Sequence, residues 1–266
     1  MMTIMLTGAN GYVGSFLNSF FKERSWDVRL PIICDEKKWR FLESIPQEQF
    51  KGIDVLIHAA WDMDSSDKKK AYDTNVLGSK KLIDEATKAG VKQMIFISTM
   101  SAYEGCSSCY GKTKLMVEQE VLKHGGIVIR PGLIYGQHSG GMIGKLSTLV
   151  QKLPIVPLPC ADKKQYLIDE RRVVDFICRV VAGETPSGIY SLANPVPVTM
   201  KEIILNIASD LKKKILIIAI PWRLVWLGLF AAQLLRLKLP VNTDNLIGLA
   251  KANPAPDFSS FNKYAT

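Results

Sequence analysis

A tyrosine and a lysine four residues apart, Tyr110 and Lys114, have the spacing best suited to chemistry. On a helix the two side chains lie on one face, one turn apart. A phenol with its ordinary pKa of about 10 is a poor base at neutral pH, but a neighbouring ammonium favours the phenolate and lowers that pKa. We therefore expect Tyr110 to act as a catalytic acid and base, with Lys114 tuning its pKa.

A third candidate is a hydroxyl group that follows an apolar segment, QMIFIS, at Gln93–Ser98. Thr99 comes directly after this segment and is suited to hydrogen bond an oxygen that changes between alcohol and carbonyl. Ser98 and Ser101 are competitors for the same role. A YxxxK pair alone is more often a surface feature, so the catalytic interpretation depends on the order of motifs along the chain.

The first of those motifs is a glycine loop with glycines three residues apart, at Gly8, Gly11 and Gly14. The loop follows an apolar segment and opens a helical pattern. Small residues allow backbone N–H groups to approach a pyrophosphate at a helix N-terminus, which predicts a dinucleotide site. The predicted contacts of the loop are Gly8, Asn10, Gly11, Tyr12, Val13 and Gly14.

The choice between NAD and NADP is open in the sequence. Asp35 lies about 20 residues after the glycines, where an acid binds the ribose hydroxyls of NAD. Lys37, Lys38 and Arg40 lie just beyond it and are equally suited to a 2′-phosphate, or form an exposed basic turn.

Strand and helix patterns alternate along the first half of the chain. Strands are predicted over 3–7, 28–33, 54–58, 93–98 and 127–130, and helices over 12–24, 68–89 and 108–123. This order predicts an α/β fold, a Rossmann-type doubly wound parallel sheet. We assign residues 1–136 to the cofactor domain, whose sheet is rejoined at about 168–193. Residues 137–167 and 194–266 are expected to form a smaller C-terminal substrate-binding cap.

The composition excludes several classes of protein. The chain of 266 residues is 47% hydrophobic and 22% charged, which is typical of a globular enzyme. Its net charge of +9 comes from clusters that lie beside acids, so we expect phosphorylated substrates and no nucleic acid. Five cysteines without an even framework, and no signal peptide, favour the cytoplasm. The CxxC pair Cys106 and Cys109 is too weak a signal for a metal site, and we expect none.

One apolar stretch, Leu216–Leu237, needs separate interpretation because it resembles a membrane span. Pro221 and Arg223 interrupt it, and Gln233 and Arg236 close it, so the uninterrupted run falls short of the roughly 20 residues that a bilayer requires. We expect a buried or substrate-covering helix from Trp222 to about Leu237, in preference to peripheral membrane contact.

These motifs together resemble the extended short-chain dehydrogenase/reductases, in particular the NAD-dependent epimerase/dehydratase family. The resemblance covers about residues 1–193. Its motifs are TGANGYVG at 7–14, DVLIHAA at 54–60, NVLG at 75–78, STMSAY at 98–103, RPGLIYG at 130–136 and VVD at 173–175.

The resemblance implies further cofactor contacts and a reaction. The implied cofactor contacts are His58, Ala59, Ala60, Asn75, Ser98, Tyr110, Lys114, Pro131 and Ile134. Counting back four residues from Tyr103 selects Thr99 as the oxygen anchor. The implied reaction is hydride transfer between nicotinamide and a secondary alcohol or ketone of a nucleotide-diphosphate sugar. Met100 and Ser101 occupy the positions of the Asp-Glu pair of the family's dehydratases, which disfavours dehydration.

Several alternatives stay open at this point. The enzyme is an epimerase if the cofactor stays bound while the ketone rotates, and a reductase if the cofactor leaves. If the substrate is not a nucleotide-diphosphate sugar, it is a smaller or lipid-linked ketone. A non-catalytic NAD(P)-binding redox sensor or assembly protein is the rival from another class, and a homodimer is left open.

Overall fold

The computed structural model describes residues 2–32, 40–63, 67–138, 140–235, 237, 239 and 241–259. Within these residues, six strands form one sheet in the order β2-β1-β3-β4-β5-β10, and every neighbouring pair is parallel. These strands are β1 (Thr3–Thr7), β2 (Asp27–Arg29), β3 (Val55–His58), β4 (Gln93–Ile97), β5 (Ile127–Pro131) and β10 (Gly188–Leu192). The predicted Rossmann-type α/β fold is confirmed.

The apolar sequence of the central strands explains why the sheet is buried on both faces. All four residues of β3 are buried, as a continuous VLIH run requires when helices cover both sides. Strand β2 is shorter than the predicted 28–33 segment. Pro31 has no N–H to donate to a ladder, so pairing stops at Arg29. Ile33 and Asp35 lie outside the described residues.

Helices flank the strands close to the predicted positions. They are α1 (Tyr12–Glu23), α2 (Lys68–Ala71), a π-helical turn (Tyr72–Leu77), α3 (Gly78–Lys88), α4 (Cys109–Lys123), α5 (Gly141–Lys152), α6 (Glu170–Val181), α7 (Met200–Asp210), α8 (Trp222–Leu234) and α9 (Thr243–Ala250), with a 3₁₀ turn at Gln47–Phe50. The predicted single helix over 68–89 is therefore three consecutive segments, and the π-helical turn carries Asn75.

Short strand pairs connect the remaining elements. They are formed by β6 (Leu133–Tyr135), β7 (Ile155–Pro159), β8 (Lys164–Gln165), β9 (Leu167–Asp169), β11 (Val198–Thr199) and β12 (Leu216–Ile220). β6 pairs with β9 and β7 with β12, both in parallel, whereas β8 and β11 are antiparallel. Helices α5 and α7 and strand β7 share a hydrophobic cluster around Val150, Val156 and Ile204.

The expectation of a buried helix over Trp222–Leu237 is wrong, and the alternative of a substrate-covering helix stays a prediction. Helix α8 ends at Leu234 and contains no buried residue. One of its faces packs on α9, and the other is open to solvent, because no element of the described chain lies outside it. No helix in the described part of the chain combines the length and the apolarity that crossing a bilayer requires.

Candidate functional site

The glycine loop forms a tight turn between β1 and α1. The Gly11 N–H donates to the Gly8 carbonyl at 2.8 Å. Gly8 has a φ of +79°, and a Cβ there would lie 2.5 Å from the backbone nitrogen of Ala60. A Cβ on Gly14 would lie 2.1 Å from the Gly8 carbonyl oxygen. Gly8 is therefore required by the packing of the turn against the chain that leaves β3, and Gly14 by the close approach of α1 to the turn itself.

The N-terminus of α1 faces outward from this turn. Gly11 is its N-cap residue and supplies no side-chain cap, and Asn10 and Gly11 are exposed. The first N–H groups of a helix attract anions through their unpaired hydrogens and through the helix dipole. This end of the helix therefore fits a dinucleotide pyrophosphate, as the glycine spacing predicts.

Tyr12, at the start of α1, lies under the segment that follows β6. A Cβ on Gly140 would lie 2.2 Å from the Tyr12 ring, and the Tyr12 hydroxyl donates to the Ile134 carbonyl at 3.5 Å. Burial raises the pKa of Tyr12 to about 12, with the carboxylates of Glu170 and Asp169 adding to the effect. The structure thus brings the predicted contacts Tyr12 and Ile134 together, with Tyr12 as a neutral packing group.

His58 is buried at the end of β3 and is held by two hydroxyls. Its Nδ1 lies 2.7 Å from the Thr7 hydroxyl and its Nε2 lies 2.8 Å from the Ser79 hydroxyl. Burial, followed by the charge of Lys114, lowers the pKa of His58 to about 3. The ring is therefore neutral at physiological pH and joins β1, β3 and α3 beneath the glycine loop.

Asn75 fixes the chain that leaves β3. Its amide oxygen accepts from the backbone N–H of Asp62 at 2.8 Å, and its amide nitrogen donates to the Asp62 carbonyl at 3.0 Å. This pair of hydrogen bonds holds the segment containing Ala59, Ala60 and Trp61 against the site. The side chain of Asn75 is buried and used within the protein, and its predicted cofactor contact stays a prediction.

Thr99 and Tyr110 meet at the carboxyl edge of the sheet, as predicted. The Thr99 side chain hydrogen bonds the Tyr110 phenol, and the edge of the Tyr110 ring points at Trp61 with the ring centres 6.2 Å apart. Burial raises the pKa of Tyr110 to about 12, and the hydrogen bond from Thr99 opposes this rise. Tyr110 is therefore protonated at physiological pH.

Lys114 lies one turn further along α4 and is buried. Its ammonium nitrogen donates to the Ile97 carbonyl at 2.6 Å and lies 3.9 Å from the centre of the Trp61 ring. Burial lowers the pKa of Lys114 to about 7, and the charge of Glu118 opposes this fall. The expectation that Lys114 lowers the pKa of Tyr110 is wrong for this arrangement, because burial governs the phenol and the ammonium is directed at Ile97 and Trp61.

A buried ion pair supports the strand that carries the hydroxyl residues. Glu118 of α4 is almost fully buried and accepts from the Arg130 guanidinium, at 2.9 Å from Nε and again from Nη2. The Ser98 hydroxyl donates to the same carboxylate. The side chain of Ser98 is thus used within the protein, one residue before Thr99, and its predicted cofactor contact stays a prediction.

Sequence reasoning missed one residue of the site, Asp244 of α9. Its carboxylate accepts from the backbone N–H groups of Cys109 at 2.6 Å and Tyr110 at 3.0 Å, the first two residues of α4. Ser108 caps the same helix end by accepting from Gly111. A carboxylate at a helix N-terminus is stabilised by the helix dipole. No local pattern indicates this contact, because 134 residues separate Asp244 from Tyr110.

Of the other predicted residues, Pro131 closes the carboxyl edge by accepting from the Met100 N–H at 3.2 Å. Asp35, the candidate for the ribose hydroxyls, is outside the described residues. The structure thus assembles the glycine loop, the end of β3 and the Thr99, Tyr110 and Lys114 set along one edge of the sheet. In open α/β sheets this is the edge at which ligands bind.

Residues 2–220 match the family described as the RmlD substrate binding domain. N-acetyl-alpha-D-glucosaminyl-diphospho-ditrans,octacis-undecaprenol 4-epimerase from Escherichia coli O157:H7 is 24% identical over an alignment that covers 87% of this chain and 79% of that protein. UDP-glucose 4-epimerase from Erwinia amylovora is 28% identical, with 54% of this chain and 57% of that protein aligned. The solved structure of dTDP-4-dehydrorhamnose reductase from Bacillus anthracis str. Ames in complex with NADP has a TM-score of 0.69 at 16% identity. The superposition covers 93% of this chain and 98% of that chain.

Proposed function

Because the chain belongs to the RmlD substrate binding domain family, we propose that it is an NAD(P)-dependent oxidoreductase or epimerase of nucleotide-diphosphate sugars. The observation that carries the proposal is the contact of the Thr99 hydroxyl with the Tyr110 phenol, one helical turn from the buried Lys114. A protein that only binds a dinucleotide has no need of this set. The proposed reaction interconverts a secondary alcohol and a ketone.

The described residues fit NAD or NADP. The α1 N-terminus and the glycine loop would hold the pyrophosphate, and Lys114 would donate to the nicotinamide ribose. When bound, the cofactor supplies a site at C4 of nicotinamide that accepts or returns hydride. Whether the protein favours NAD or NADP depends on the region of Asp35 and Arg40, and the proposal covers both.

The protein's own groups manage the proton in this proposal. Tyr110, which is protonated, donates its proton to the ketone oxygen during reduction and takes it back from the alcohol during oxidation. Thr99 hydrogen bonds the same oxygen and orients it. Trp61 lies beside both Tyr110 and Lys114 and limits access of water to them.

We further propose that residues 137–167 and 194–266 form the substrate-binding cap. Two cavities support this division, and both lie at the ends of β6 and β9. One, of about 360 Å³, is lined by Tyr135, Asp169, Arg171, Arg172 and Asn194, and its two arginines suit an anionic diphosphate. The other, of about 490 Å³, extends from Tyr135 toward α5 and α7.

A second candidate substrate is a sugar diphosphate carried by a polyprenyl lipid. It is favoured by the similarity to the undecaprenol-linked 4-epimerase, which extends over 87% of this chain. The reacting sugar would then be the same kind of diphospho-sugar, and only the group beyond the diphosphate differs.

Cofactor binding is tested first, by fluorescence titration of the full chain with NADH and NADPH. A Cβ on Gly11 would lie 3.3 Å from the Gly8 carbonyl oxygen, a tight contact, and a leucine at this exposed position would fill the space of the pyrophosphate, so the fold of Gly11→Leu is checked first by circular dichroism. Gly228→Ala, a position with no neighbour within 4 Å, is the control. We expect Gly11→Leu to abolish binding and Gly228→Ala to retain it. Unchanged affinity of Gly11→Leu would overturn the cofactor site.

Turnover is tested with the matched variants Tyr110→Phe and Tyr72→Phe, since Tyr72 is exposed. We expect Tyr110→Phe to lose turnover and keep cofactor affinity, because it removes a proton donor and little surface.

The substrate class is tested by thermal shift with cofactor present, using UDP, dTDP and GDP sugars and a polyprenyl diphospho-sugar. Stabilisation by one of them supports the proposal. Indifference to all of them, with a response to small ketones, contradicts the substrate class.

A further inference from the structure

Helix α8 presents a continuous apolar face to solvent. Its outward residues Leu224, Leu227, Leu234 and Leu235 are between 59% and 72% exposed. At 100° per residue these four positions fall on one arc of the helix. The opposite arc, with Trp222, Val225, Trp226 and Leu229, packs on Leu246, Ala250 and Cys160. The exposed arc is therefore a distinct surface and not the edge of the core.

A second exposed apolar surface leads directly into this helix. In the β7–β12 pair, Leu216 lies opposite Ile155, and Ile218 lies opposite Pro157. Leu216, Ile155 and Ile218 are 59%, 49% and 47% exposed. The alternate residues Val156, Leu158 and Ile217 belong to the cluster around α5 and α7. Strand β12 passes through Pro221 into α8, so the chain exposes apolar side chains from Leu216 to Leu235.

The charged residues in and around α8 and β12 are all cations. Residues 211–243 contain six Lys and Arg residues and no Asp or Glu, whereas the whole chain has 25 acids in 266 residues. Lys152 precedes β7 and Lys212–Lys214 precede β12, so these cations share one end of the parallel strand pair. Lys213 donates to the Gln151 carbonyl, which joins the two ends. Arg223 lies in the first turn of α8.

We propose that α8 and the outer face of β7–β12 bind the surface of an anionic lipid bilayer. Leucines directed outward from α8 and cations that flank the segment suit contact with the acyl boundary and the anionic headgroups of a membrane interface. The 13 residues of α8 are too few to cross a bilayer, so the helix lies on it. A second copy is a poorer occupant, because both copies would bring the same excess of cations, with no acid from this segment, into one interface.

This surface is connected to the candidate site by contacts that run through α9. Helix α8 packs on α9, and Asp244 of α9 accepts from the Tyr110 N–H. A bilayer bound by α8 would therefore lie two elements away from the catalytic helix. The inference does not depend on the proposed reaction, because its readout is binding to lipid.

The experiment is sedimentation of the full chain with vesicles. One set contains phosphatidylcholine alone and the other adds phosphatidylglycerol. We expect binding to the anionic vesicles, with weaker binding as salt is raised. The double variant Leu224→Glu, Leu227→Glu should bind roughly tenfold more weakly, because it removes apolar area and adds like charge. The control Val196→Glu, Leu205→Glu makes the same change at residues that are 70% and 45% exposed elsewhere, and should bind normally.

Two outcomes would overturn the proposal. One is a wild-type protein that stays in the supernatant with anionic vesicles at low salt. The other is a dimer in light scattering that the Leu224, Leu227 variant abolishes, which would assign the surface to a second copy. If that variant misfolds, the milder variant Leu224→Ala, Leu227→Ala provides the test, because it removes apolar area from the exposed arc without adding charge. We expect it to bind anionic vesicles more weakly than the wild type, and unchanged binding contradicts the proposal.

Discussion

The ammonium nitrogen of Lys114 lies 3.9 Å from the centre of the Trp61 ring, while the same nitrogen donates to the Ile97 carbonyl at 2.6 Å. Both contacts occur in the buried space between β4 and α4. An aromatic face and one carbonyl replace only part of the hydration of a cation, which is why the pKa of Lys114 falls to about 7.

This depressed pKa predicts how stability changes at alkaline pH. Between about pH 7 and pH 10.5, the unfolded chain binds a proton at Lys114 that the folded chain does not. Lys114 therefore makes the free energy of unfolding rise with pH in this window. We expect Lys114→Met to remove that rise in urea unfolding measured at several pH values. The control is Lys112→Met, at an exposed position of the same helix. Equal pH profiles for the two variants would contradict the prediction.

His58 predicts a change of stability at acid pH. Its pKa falls from 6.5 to about 3 on folding, so below pH 6.5 the unfolded chain takes up a proton that the folded chain refuses. Stability contributed by the neutral ring is present above pH 6.5 and is lost as the pH falls toward 3. We expect His58→Gln to be less stable at pH 7, by about 1–3 kcal/mol, because the Thr7 and Ser79 hydroxyls each lose their hydrogen bond to the ring.

The acid titration separates this contribution from simple loss of packing. His58→Gln should show a flatter decline of stability between pH 6.5 and pH 3 than the wild type. A wild-type slope in His58→Gln would show that other groups govern acid unfolding.

Removing the negative charge of Glu118 is expected to cause a large loss of stability. Glu118→Gln leaves the Arg130 guanidinium, whose side chain is only 17% exposed, without its carboxylate. Breaking a buried pair in this way typically costs about 3–5 kcal/mol. Glu120→Gln is the matched change on the same helix, where ion pairs reach exposed Lys80 and Lys123, and should cost at most about 1 kcal/mol. Chemical denaturation of both variants measures the difference.

A substitution at Asp244, which lies outside the predicted cofactor domain, is expected to lower turnover. Asp244→Asn keeps the shape of the side chain but removes the charge beside the first N–H groups of α4. We expect a loss of about 0.5–2 kcal/mol in stability. Turnover should fall because Tyr110 is less firmly held, while NAD(P)H affinity is retained. Exposed Glu104 provides the control, Glu104→Gln. Unchanged turnover in Asp244→Asn would remove its positioning role.

The parts of the site that are local in sequence were predictable. Tyr110 and Lys114 lie on one helix, so their spacing alone places them on one face. The glycine loop was predictable for the same reason, because a turn between β1 and α1 is built from consecutive residues. Buried strands such as β3, with the sequence VLIH, were predictable as well, because three consecutive apolar residues indicate a strand that is covered on both faces.

The parts that depend on tertiary contact were not predictable. The pKa values of Tyr110 and Lys114 follow from burial, which a pairwise pattern does not contain. The π-helical turn at Tyr72–Leu77 has no propensity signal. An apolar segment such as Trp222–Leu234 has the same composition whether it is covered or exposed, so its position on the surface could only be seen in the fold.

The contact between Asp244 and the start of α4 also bears on the order in which the active centre is assembled during synthesis. Thr99, Tyr110 and Lys114 leave the ribosome with the first half of the chain, and the sheet that carries them is nearly complete once β10 has been made. The carboxylate that holds the Tyr110 N–H is 134 residues away. A nascent chain, or a fragment cut before Asp244, therefore contains the proposed catalytic side chains but lacks the carboxylate that holds the start of their helix.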